Sequence, residues 1–233
     1  MQQNKISILS TRPLEDLLID QAKQSGIEID MLSFIKTEPI QSTEVQQEIA
    51  NALLQSSAVV FTSMNAVEAV ADELQGQQPG WKIYSIGGTT KQLVKKYFGE
   101  KSIAGTAGSA AELAELIAGE GNEDEVIFFC GDQRRDELPD ILRSNDIDVN
   151  EITVYQTTAL PHKIEKQYQG ILFFSPSAVE CFFSNNKAAD QTILFAIGNT
   201  TATTIKKHSK NKIIIADEPG KENLLTKVIR YYI

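Results

Sequence analysis

Short, almost continuously apolar runs alternate along this chain with longer runs whose apolar residues recur at helical spacing. The apolar runs predict strands at residues 5–10, 27–35, 58–62, 82–86, 101–104, 125–130, 147–155, 170–175, 192–197 and 211–215. The amphipathic runs predict helices at residues 13–25, 42–55, 64–75, 89–98, 109–119, 133–145, 177–187, 200–208 and 221–232. Strands form such apolar runs when both faces of a parallel sheet are buried. The alternation therefore predicts an α/β fold with doubly wound, flavodoxin-like parallel sheets, and ten strands fit two five-stranded sheets better than one.

Several predicted helices begin at recognisable capping residues. Ser42 precedes the apolar period of the second helix, and Ser109 is followed three residues later by Glu112, which is the capping-box pattern. The pair Arg12-Pro13 is predicted to place a proline in the first turn of the first helix.

An internal repeat is the most informative feature of the sequence. Residues 61–68 read FTSMNAVE, and residues 173–180 read FFSPSAVE, with five of eight positions identical. Residues 84–90 read YSIGGTT, and residues 195–201 read FAIGNTT, at nearly the same offset. The chain is therefore predicted to contain two copies of one α/β unit. The lengths before the two serine turns also fit a split copy, in which the N-terminal segment completes the C-terminal domain.

Both repeated motifs lie at predicted strand-to-helix turns, where open α/β sheets bind their ligands. A serine or threonine there can cap the helix, and the remaining N–H groups and the positive helix end favour an anion. We expect four anion-binding turns that face one cleft; plain helix capping is the alternative interpretation. The four turns are Thr62-Ser63, Gly87-Gly88-Thr89-Thr90, Ser175-Pro176-Ser177 and Gly198-Asn199-Thr200-Thr201.

A few further side chains are candidates for chemistry. Arg134 and Arg135 begin a predicted helix, where they oppose its dipole unless an anion or a neighbouring carboxylate pairs with them. Either Arg134 or Arg135, and also Arg12, is thus a candidate for carboxylate binding, and surface ion pairs are an equally good interpretation. Tyr155 ends a strand, where its phenol can act as a proton donor or simply pack with one hydrogen bond.

Composition and charge exclude several classes of protein. The 233 residues are 42% hydrophobic and 23% charged, as in globular proteins, and suit two small domains. The net charge of −9 argues against a nucleic-acid partner. No apolar run is long enough to span a membrane, and the first residues lack an apolar signal core, so a cytoplasmic location is expected.

Metal and nucleotide sites are not indicated. Cys130 and Cys181 lie in or beside apolar runs and are predicted to be buried free thiols. The two histidines, His162 and His208, are not at ligand spacing from them. The sequence contains no Walker A loop, no Gly-x-Gly-x-x-Gly and no Gly-x-Ser-x-Gly, so neither a nucleotide cofactor nor a hydrolase elbow is expected.

Taken in order, several segments resemble the uroporphyrinogen-III synthase family over nearly the whole chain. These segments are STRP at 10–13, FTSMNAVEAV at 61–70, IGGTT at 86–90, TAGSAAELAELI at 106–117, CGDQRRDELP at 130–139, ITVYQT at 152–157, FFSPSAVECF at 173–182 and AIGNTTA at 196–202. No single segment is specific for this family, but the order and spacing of the segments are specific for it. The resemblance implies two α/β domains joined by a two-stranded linker. One domain would combine residues 1–36 with 160–233, and the other would be residues 39–156.

The resemblance also implies an enzyme that needs no cofactor and no metal. Its substrate would be hydroxymethylbilane, which loses its hydroxyl and closes with ring D inverted. Tyr155 matches the family's tyrosine and is expected to donate the proton. The expected substrate-binding residues are Arg12, Thr62, Ser63, Gly87, Thr89, Thr90, Arg134, Ser175, Pro176, Ser177, Gly198, Thr200 and Thr201. A monomer without nucleic-acid or membrane partners is expected.

Two other interpretations remain open at this point. A non-catalytic two-domain clamshell that binds a small anionic ligand would have the same duplication, and so would a scaffold that had lost its activity. The chain also departs from the family pattern at two positions. Met64 replaces a proline that family members often carry, and Asn65 stands where a basic residue can occur.

Overall fold

The computed structural model describes residues 5–233, which form eleven strands and nine helices. The strands are β1 (Ile6–Ser10), β2 (Ile27–Met31), β3 (Ile35–Pro39), β4 (Ala58–Phe61), β5 (Lys82–Ile86), β6 (Ile103–Ala107), β7 (Glu125–Gly131), β8 (Asp148–Ala159), β9 (Gly170–Phe173), β10 (Ile193–Ala196) and β11 (Ile213–Ile215). The helices are α1 (Asp16–Gln24), α2 (Thr43–Leu53), α3 (Met64–Leu74), α4 (Thr89–Phe98), α5 (Ala110–Glu120), α6 (Glu137–Ser144), α7 (Pro176–Asn185), α8 (Asn199–His208) and α9 (Lys221–Tyr232).

These elements divide into two compact units. The first unit combines the N-terminal segment that ends at Lys36 with Thr158–Ile233, and the second unit is Thr37–Thr157. The chain therefore passes twice from one unit to the other, once within β3 and once within β8. This pair of strands is the two-stranded linker of the predicted fold, which is confirmed.

The first unit is built on a five-stranded sheet with the order β11-β10-β9-β1-β2. Its paired strands are parallel. The N-terminal strands β1 and β2 thus complete the sheet of the C-terminal segment. Alternate strand residues face opposite layers: Ile8 packs towards α1 and α9, and Leu9 packs towards α7 and α8. Burial on both faces accounts for the apolar runs in the sequence.

The second unit is built on a six-stranded sheet with the order β3-β8-β7-β4-β5-β6. The strands from β8 to β6 are parallel neighbours. Phe61 packs with α2, α3 and α4 on one face, and Val60 packs with α5 and α6 on the other. The order β6-β5-β4-β7-β8 corresponds strand for strand to β11-β10-β9-β1-β2. The two units therefore share one topology, assembled from the chain in a different order.

Several sequence predictions about the elements are wrong. Residues 27–35 are not one strand, because the chain bends at Leu32–Phe34 and β3 joins the other sheet, which makes six strands there rather than five. The strand predicted at 101–104 is β6, which follows a 3-10 turn at Glu100–Ser102. It includes Gly105, where a Cβ would lie 2.8 Å from atoms of both Leu116 and Tyr84. That glycine marks a close approach of packed side chains and not a strand end.

The first helix also begins later than predicted. α1 starts at Asp16, so Pro13 lies in the turn that precedes it and not in the first helical turn. The turn is held by Thr11, whose side-chain hydroxyl donates to the Leu172 carbonyl at 2.8 Å. Leu14 is buried in the same cluster as Leu18, and the residues between β1 and α1 carry the chain to that cluster. Among residues 5–233, no helix combines the length and the apolar character needed to cross a bilayer.

Candidate functional site

The second unit has a topological switch point between β4 and β7. From β4 the chain proceeds to β5 on one side, whereas β7 pairs with its other side. The crevice beyond the carboxyl ends of such strands is where open α/β sheets bind ligands. Thr62 and Ser63 follow β4, Gly131 ends β7, and Tyr155 pairs with Gly131 in the register of β7 and β8.

A hydrogen bond connects the two sides of this crevice. The Tyr155 hydroxyl donates to Ser63 Oγ at 3.0 Å. The phenol ring passes directly over Gly131, because a Cβ at that position would lie 2.6 Å from Cε2 and 2.7 Å from Oη of Tyr155, and closer still to Cζ. Only glycine leaves room for the ring. Gly131 was not among the predicted site residues, since its role depends on a strand 24 residues further along the chain.

The backbone around Tyr155 is held by Asp132. The Asp132 N–H donates to the Tyr155 carbonyl at 3.1 Å, and Asp132 Oδ1 accepts the Thr157 N–H at 2.9 Å. The register between β7 and β8 shifts between Cys130 and Gly131, immediately before this point. Such irregularities re-aim side chains at sheet ends. The Asp132 hydrogen bonds and the register shift together fix the direction in which the Tyr155 side chain projects from β8.

The Tyr155 phenol is protonated at neutral pH, as is any phenol with a pKa of about 10 or above. Desolvation raises the pKa of Tyr155 above its ordinary value, and the side chains of Ser63 and Asn65, which hydrogen-bond to it, partly oppose that rise. At neutral pH the group carries a proton that it can donate, and the raised pKa makes it a weaker acid than an exposed tyrosine.

Ser63 is also the N-cap of α3. Its backbone is extended (φ −141°, ψ 135°), and its Oγ accepts the Asn65 N–H at 3.2 Å. Ser63, Asn65 and the preceding Thr62 are all partly buried. The N-terminus of α3 therefore opens into the same crevice as the phenol, and its positive end favours negative charge there.

A cavity of about 310 Å³ lies beside Tyr155 in the second unit. Its wall combines aromatic groups, short polar groups and three acidic side chains, and it is lined by Thr37, Glu38, Pro39, Asn65, Glu68, Ala69, Asp72, Tyr97 and Tyr155. No lysine or arginine is among these lining residues. Since like charges repel, the wall disfavours carboxylate groups of a ligand and tolerates N–H donors.

The second turn of this unit follows β5, the neighbour of β4. Gly88 is the N-cap of α4 with a φ of +68°, a conformation that favours glycine. The Gly87 N–H donates to the Ala107 carbonyl at 2.8 Å and is therefore already satisfied. Thr89 is exposed at the first helical position, and Thr90, the next residue of the helix, is buried.

The first unit repeats this arrangement around its own switch point, which lies between β9 and β1. Ser175 is the N-cap of α7, with Oγ accepting the Ala178 N–H at 3.1 Å and Pro176 at the first helical position. Ser177 is partly buried in the first turn. Arg12, beyond the end of β1, has an exposed side chain.

The glycine turn of the first unit follows β10. Gly198 is the N-cap of α8 in an extended conformation, with a φ of −172°. Thr201 is 2% exposed, and the partly buried Thr200 accepts the Thr204 hydroxyl on its carbonyl at 3.1 Å. The turn residues therefore cap and begin helices as predicted.

Arg134 differs from its prediction. It does not begin a helix, because α6 starts at Glu137, and it lies in the turn after β7. Its guanidinium forms ion pairs with Asp136 and Glu151, and Glu151 also pairs with Arg143 at 2.7 Å. The hydrogen bond that Arg134 donates to the Asp136 carboxylate is the main cause that raises the pKa of Arg134 above its ordinary value. These contacts correspond to the ion-pair interpretation, and a substrate carboxylate would have to compete with two protein carboxylates.

The predicted residues thus fall into two groups. Tyr155, Thr62, Ser63, Gly87, Thr89, Thr90 and Arg134 belong to the second unit, and Arg12, Ser175, Pro176, Ser177, Gly198, Thr200 and Thr201 belong to the first. The structure adds Gly131, Asp132 and Asn65 to the surroundings of Tyr155. Asn65 carried a sequence signal, as it is part of the repeated serine turn.

No metal site is evident in the part of the chain that the structure describes. Among residues 5–233, no three His, Cys, Asp or Glu side chains are grouped so that they could hold a metal ion. Cys130 and Cys181 are free and buried, and burial raises the pKa of both thiols, so neither is an activated nucleophile.

Comparison with known proteins identifies a family that the chain resembles over most of its length. The family model described as "Uroporphyrinogen-III synthase HemD" matches residues 16–226. The chain is 25% identical to the "Porphyrin biosynthesis protein HemD" of Ruminiclostridium josui, over 95% of this chain and 48% of that protein. It thus spans about half the length of that relative. It is 22% identical to the "Uroporphyrinogen-III synthase" of Saccharomyces cerevisiae, over 80% of each chain.

Solved structures share the fold. A mutant uroporphyrinogen III synthase of the extremely thermophilic bacterium Thermus thermophilus superposes with a TM-score of 0.68 at 13% identity, over 97% of this chain and 98% of that one. The uroporphyrinogen-III synthetase of Helicobacter pylori superposes with a TM-score of 0.65 at 16% identity, over 97% and 99%. At such identities these similarities concern the fold alone.

Proposed function

The chain belongs to the uroporphyrinogen-III synthase family, and we propose that it converts hydroxymethylbilane to uroporphyrinogen III. The observation that carries the proposal is the hydrogen bond that the Tyr155 phenol donates to Ser63 Oγ at the switch point of the second unit. The reaction is a dehydrating cyclisation, so a positioned proton donor matches its first step.

The proposed chemistry begins with loss of the substrate's hydroxyl group. Protonation lets the hydroxyl leave as water, and the resulting azafulvene is electron-poor. The terminal pyrrole, ring D, then attacks it through its substituted carbon, and a spiro intermediate leads to inversion of that ring. Because the closure is intrinsically facile, the protein contributes mainly by orienting the chain of pyrroles. We therefore expect that loss of Tyr155 slows the reaction without abolishing it.

Local groups, rather than the overall charge, are proposed to bind the substrate's carboxylates. The protein carries a net charge of −9, so long-range attraction of a polycarboxylate is excluded. The N-termini of α3 and α4 in one unit, and of α7 and α8 in the other, offer N–H groups and positive helix ends. The exposed Arg12 adds a fixed positive charge. The acidic cavity beside Tyr155 disfavours carboxylates and is proposed to be where pyrrole N–H groups lie instead.

We further propose that the two units are the domains of the enzyme, with boundaries at residues 1–36 with 160–233 and at 39–156. The enzyme is proposed to act in the cytoplasm as a monomer, without a cofactor and without nucleic-acid or membrane partners. Its substrate supplies all of the atoms of the product, so the reaction as written is complete with water as the other product.

The test is an assay with freshly prepared hydroxymethylbilane. After oxidation of the products, the type I and type III uroporphyrins are separated chromatographically. The proposal expects type III to predominate. Type I, the spontaneous product, as the sole isomer would refute the proposal. Binding of hydroxymethylbilane without turnover would point instead to the clamshell binder.

A further inference from the structure

We propose that Ser63 hands the proton to the leaving hydroxyl of the substrate and that Tyr155 replaces that proton on Ser63. The two hydroxyls would then form a short relay, with Ser63 as the catalytic residue that touches the substrate. This inference rests on the proposed function and goes one step further, since it separates the source of the proton from the group that delivers it.

The first argument is the hydrogen-bonding capacity of Ser63. A serine hydroxyl has two lone pairs and one proton. Ser63 Oγ accepts the Asn65 N–H at 3.2 Å and the Tyr155 O–H at 3.0 Å, which occupies both lone pairs. Within residues 5–233, no hydrogen bond is found in which the Ser63 hydroxyl is the donor. Its proton is therefore the one available for a group that enters the crevice.

The second argument is the position of the Tyr155 proton. The phenol donates to Ser63, its ring is confined over Gly131, and the Asn65 side chain also hydrogen-bonds to it. A direct transfer to substrate would require this hydrogen bond to be broken first. A transfer through Ser63 uses the hydrogen bond as it stands.

The third argument comes from the repeat, which separates capping from chemistry. Ser175 occupies the matching position and caps α7 through the Ala178 N–H, and no tyrosine hydroxyl is found bonded to it among the described residues. Capping a helix therefore does not require a phenol on the serine. The Tyr155 contact is an addition that is specific to Ser63.

Atoms and charges balance in the proposed step. The Ser63 proton moves to the substrate's hydroxymethyl oxygen, the C–O bond breaks, and water leaves with the bonding electron pair. Tyr155 protonates Ser63 Oγ as it loses its proton, and the phenolate balances the positive azafulvenium. The substituted carbon of ring D forms a C–C bond to the azafulvenium carbon, which gives the spiro centre. The bond from that ring carbon to its former bridge carbon then breaks, and the unsubstituted α-carbon of ring D bonds to the freed bridge carbon. The proton that this α-carbon loses as ring D regains aromaticity returns to Tyr155. The positive end of α3 and the Asn65 N–H stabilise negative charge on Ser63 Oγ during the transfer.

The experiment compares Ser63→Ala, Tyr155→Phe, the double variant and Ser63→Thr in the type III assay. Groups that act as a unit are not additive, so we expect Ser63→Ala and Tyr155→Phe each to lower kcat roughly 10- to 100-fold, and the double variant to be no slower than the slower single variant. Ser63→Thr keeps a hydroxyl and a cap, and should stay within about threefold of the wild type. Ser42→Ala removes a comparable cap, at the start of α2, and should leave kcat unchanged.

A proton inventory distinguishes the relay from a role of Ser63 in positioning alone. In mixtures of H₂O and D₂O, the transfer of two protons in one step makes the kcat of the wild type vary along a curve with the fraction of D₂O. The Tyr155→Phe variant transfers one proton, so its kcat should vary along a straight line. A straight or flat line for the wild type overturns the relay, and so does a folded Ser63→Ala variant with wild-type kcat. Type I as the sole product of the wild type would overturn the proposed function itself, before any variant is compared.

Discussion

The two copies of the serine turn have the same local structure and different surroundings. In each, a strand ends in a fully buried phenylalanine, Phe61 or Phe173, and the serine two positions later caps the next helix. Ser63 shares its oxygen with Tyr155, whereas Ser175 bonds only within its own turn among the contacts described. The repeated sequence thus specifies the cap, and a strand outside the repeated segment decides whether the cap can also take part in chemistry.

The glycine turns show the same distinction on a smaller scale. Gly88 caps α4 with a positive φ, and the matching residue in the other copy is Asn199, which is already helical. The cap there is Gly198, one position earlier, with an extended backbone. Thr90 and Thr201 are nevertheless both buried. The helix face that packs against the sheet is therefore retained, while the loop that leads into it changes.

The largest expected effect tests whether the two copies are equally important for stability. Phe61→Ala and Phe173→Ala each remove a fully buried ring from the core of one unit. Substitutions of this kind cost about 3–5 kcal/mol of unfolding free energy. Hydrogen exchange resolved by peptide should show the loss of protection first in the unit that carries the substitution.

If either substitution lowered protection to the same extent in both units, the two cores would not be independent. Leu54→Ala, at an 85% exposed side chain, is the matched control and should change protection little.

The next effect concerns the glycine beneath the tyrosine. Gly131→Ala forces the Tyr155 ring away from Ser63, and we expect a loss of about 1–3 kcal/mol in stability from overpacking together with a kcat at least as low as that of Tyr155→Phe. Gly170→Ala in the other unit meets Ile8, Phe195 and Tyr232 and should lower stability without a comparable loss of kcat. The measurements are urea unfolding and the type III assay.

Gly119→Ala is the control for the glycine substitutions. Gly119 lies within α5 and a Cβ there meets nothing within 4 Å, so alanine should raise stability by about 0.5–1 kcal/mol. A Gly131→Ala variant with wild-type kcat would show that the tyrosine does not need its observed position.

Sequence patterns were sufficient where the interactions are local. The alternation of apolar runs predicts the doubly wound fold, which is confirmed. Helix capping, the alternative interpretation of the repeated turns, is what Ser63 and Ser175 show, and anion binding by these turns stays a prediction. Sequence patterns were insufficient where residues distant in the chain meet. The place of Gly131 under Tyr155, the assignment of β3 to the second sheet and the strand character of Gly105 all depend on neighbours that no local period reveals.

A smaller effect is expected from the serine caps themselves. Ser175→Ala removes the acceptor of the Ala178 N–H and should cost about 1 kcal/mol of stability. If the turn binds substrate, KM should rise several-fold while kcat changes little, which is the opposite of the expected result for Ser63→Ala. Ser109→Ala removes the acceptor of the Glu112 N–H at 3.2 Å and is the control for a lost cap alone. Equal effects of Ser63→Ala and Ser175→Ala on kcat would remove the functional difference between the copies.

Each unit also contains a tyrosine that donates to a carboxylate. Tyr84 Oη donates to Glu120 Oε2 at 2.6 Å in the second unit, and Tyr168 Oη donates to Asp30 Oδ2 at 2.8 Å in the first. Burial, followed by the hydrogen bond to the carboxylate, raises the pKa of both phenols, and that of Tyr168 to about 12. The two units thus share a response to alkaline pH through residues outside the repeated turns.

The sign of that response follows from proton binding. A phenol whose pKa is higher in the folded protein than in the unfolded chain, where it is about 10, stabilises the fold fully below pH 10 and loses this contribution as pH rises through the folded value. We therefore expect the unfolding free energy to fall between about pH 10 and 12, and Tyr84→Phe or Tyr168→Phe to make this fall shallower. Urea unfolding at closely spaced pH values measures it, with Tyr231→Phe, at an exposed tyrosine, as the control. If neither buried-tyrosine variant changes the slope of unfolding free energy against pH, other groups govern alkaline unfolding. If only one variant changes that slope, the two units differ in this response as they do at the serine turns.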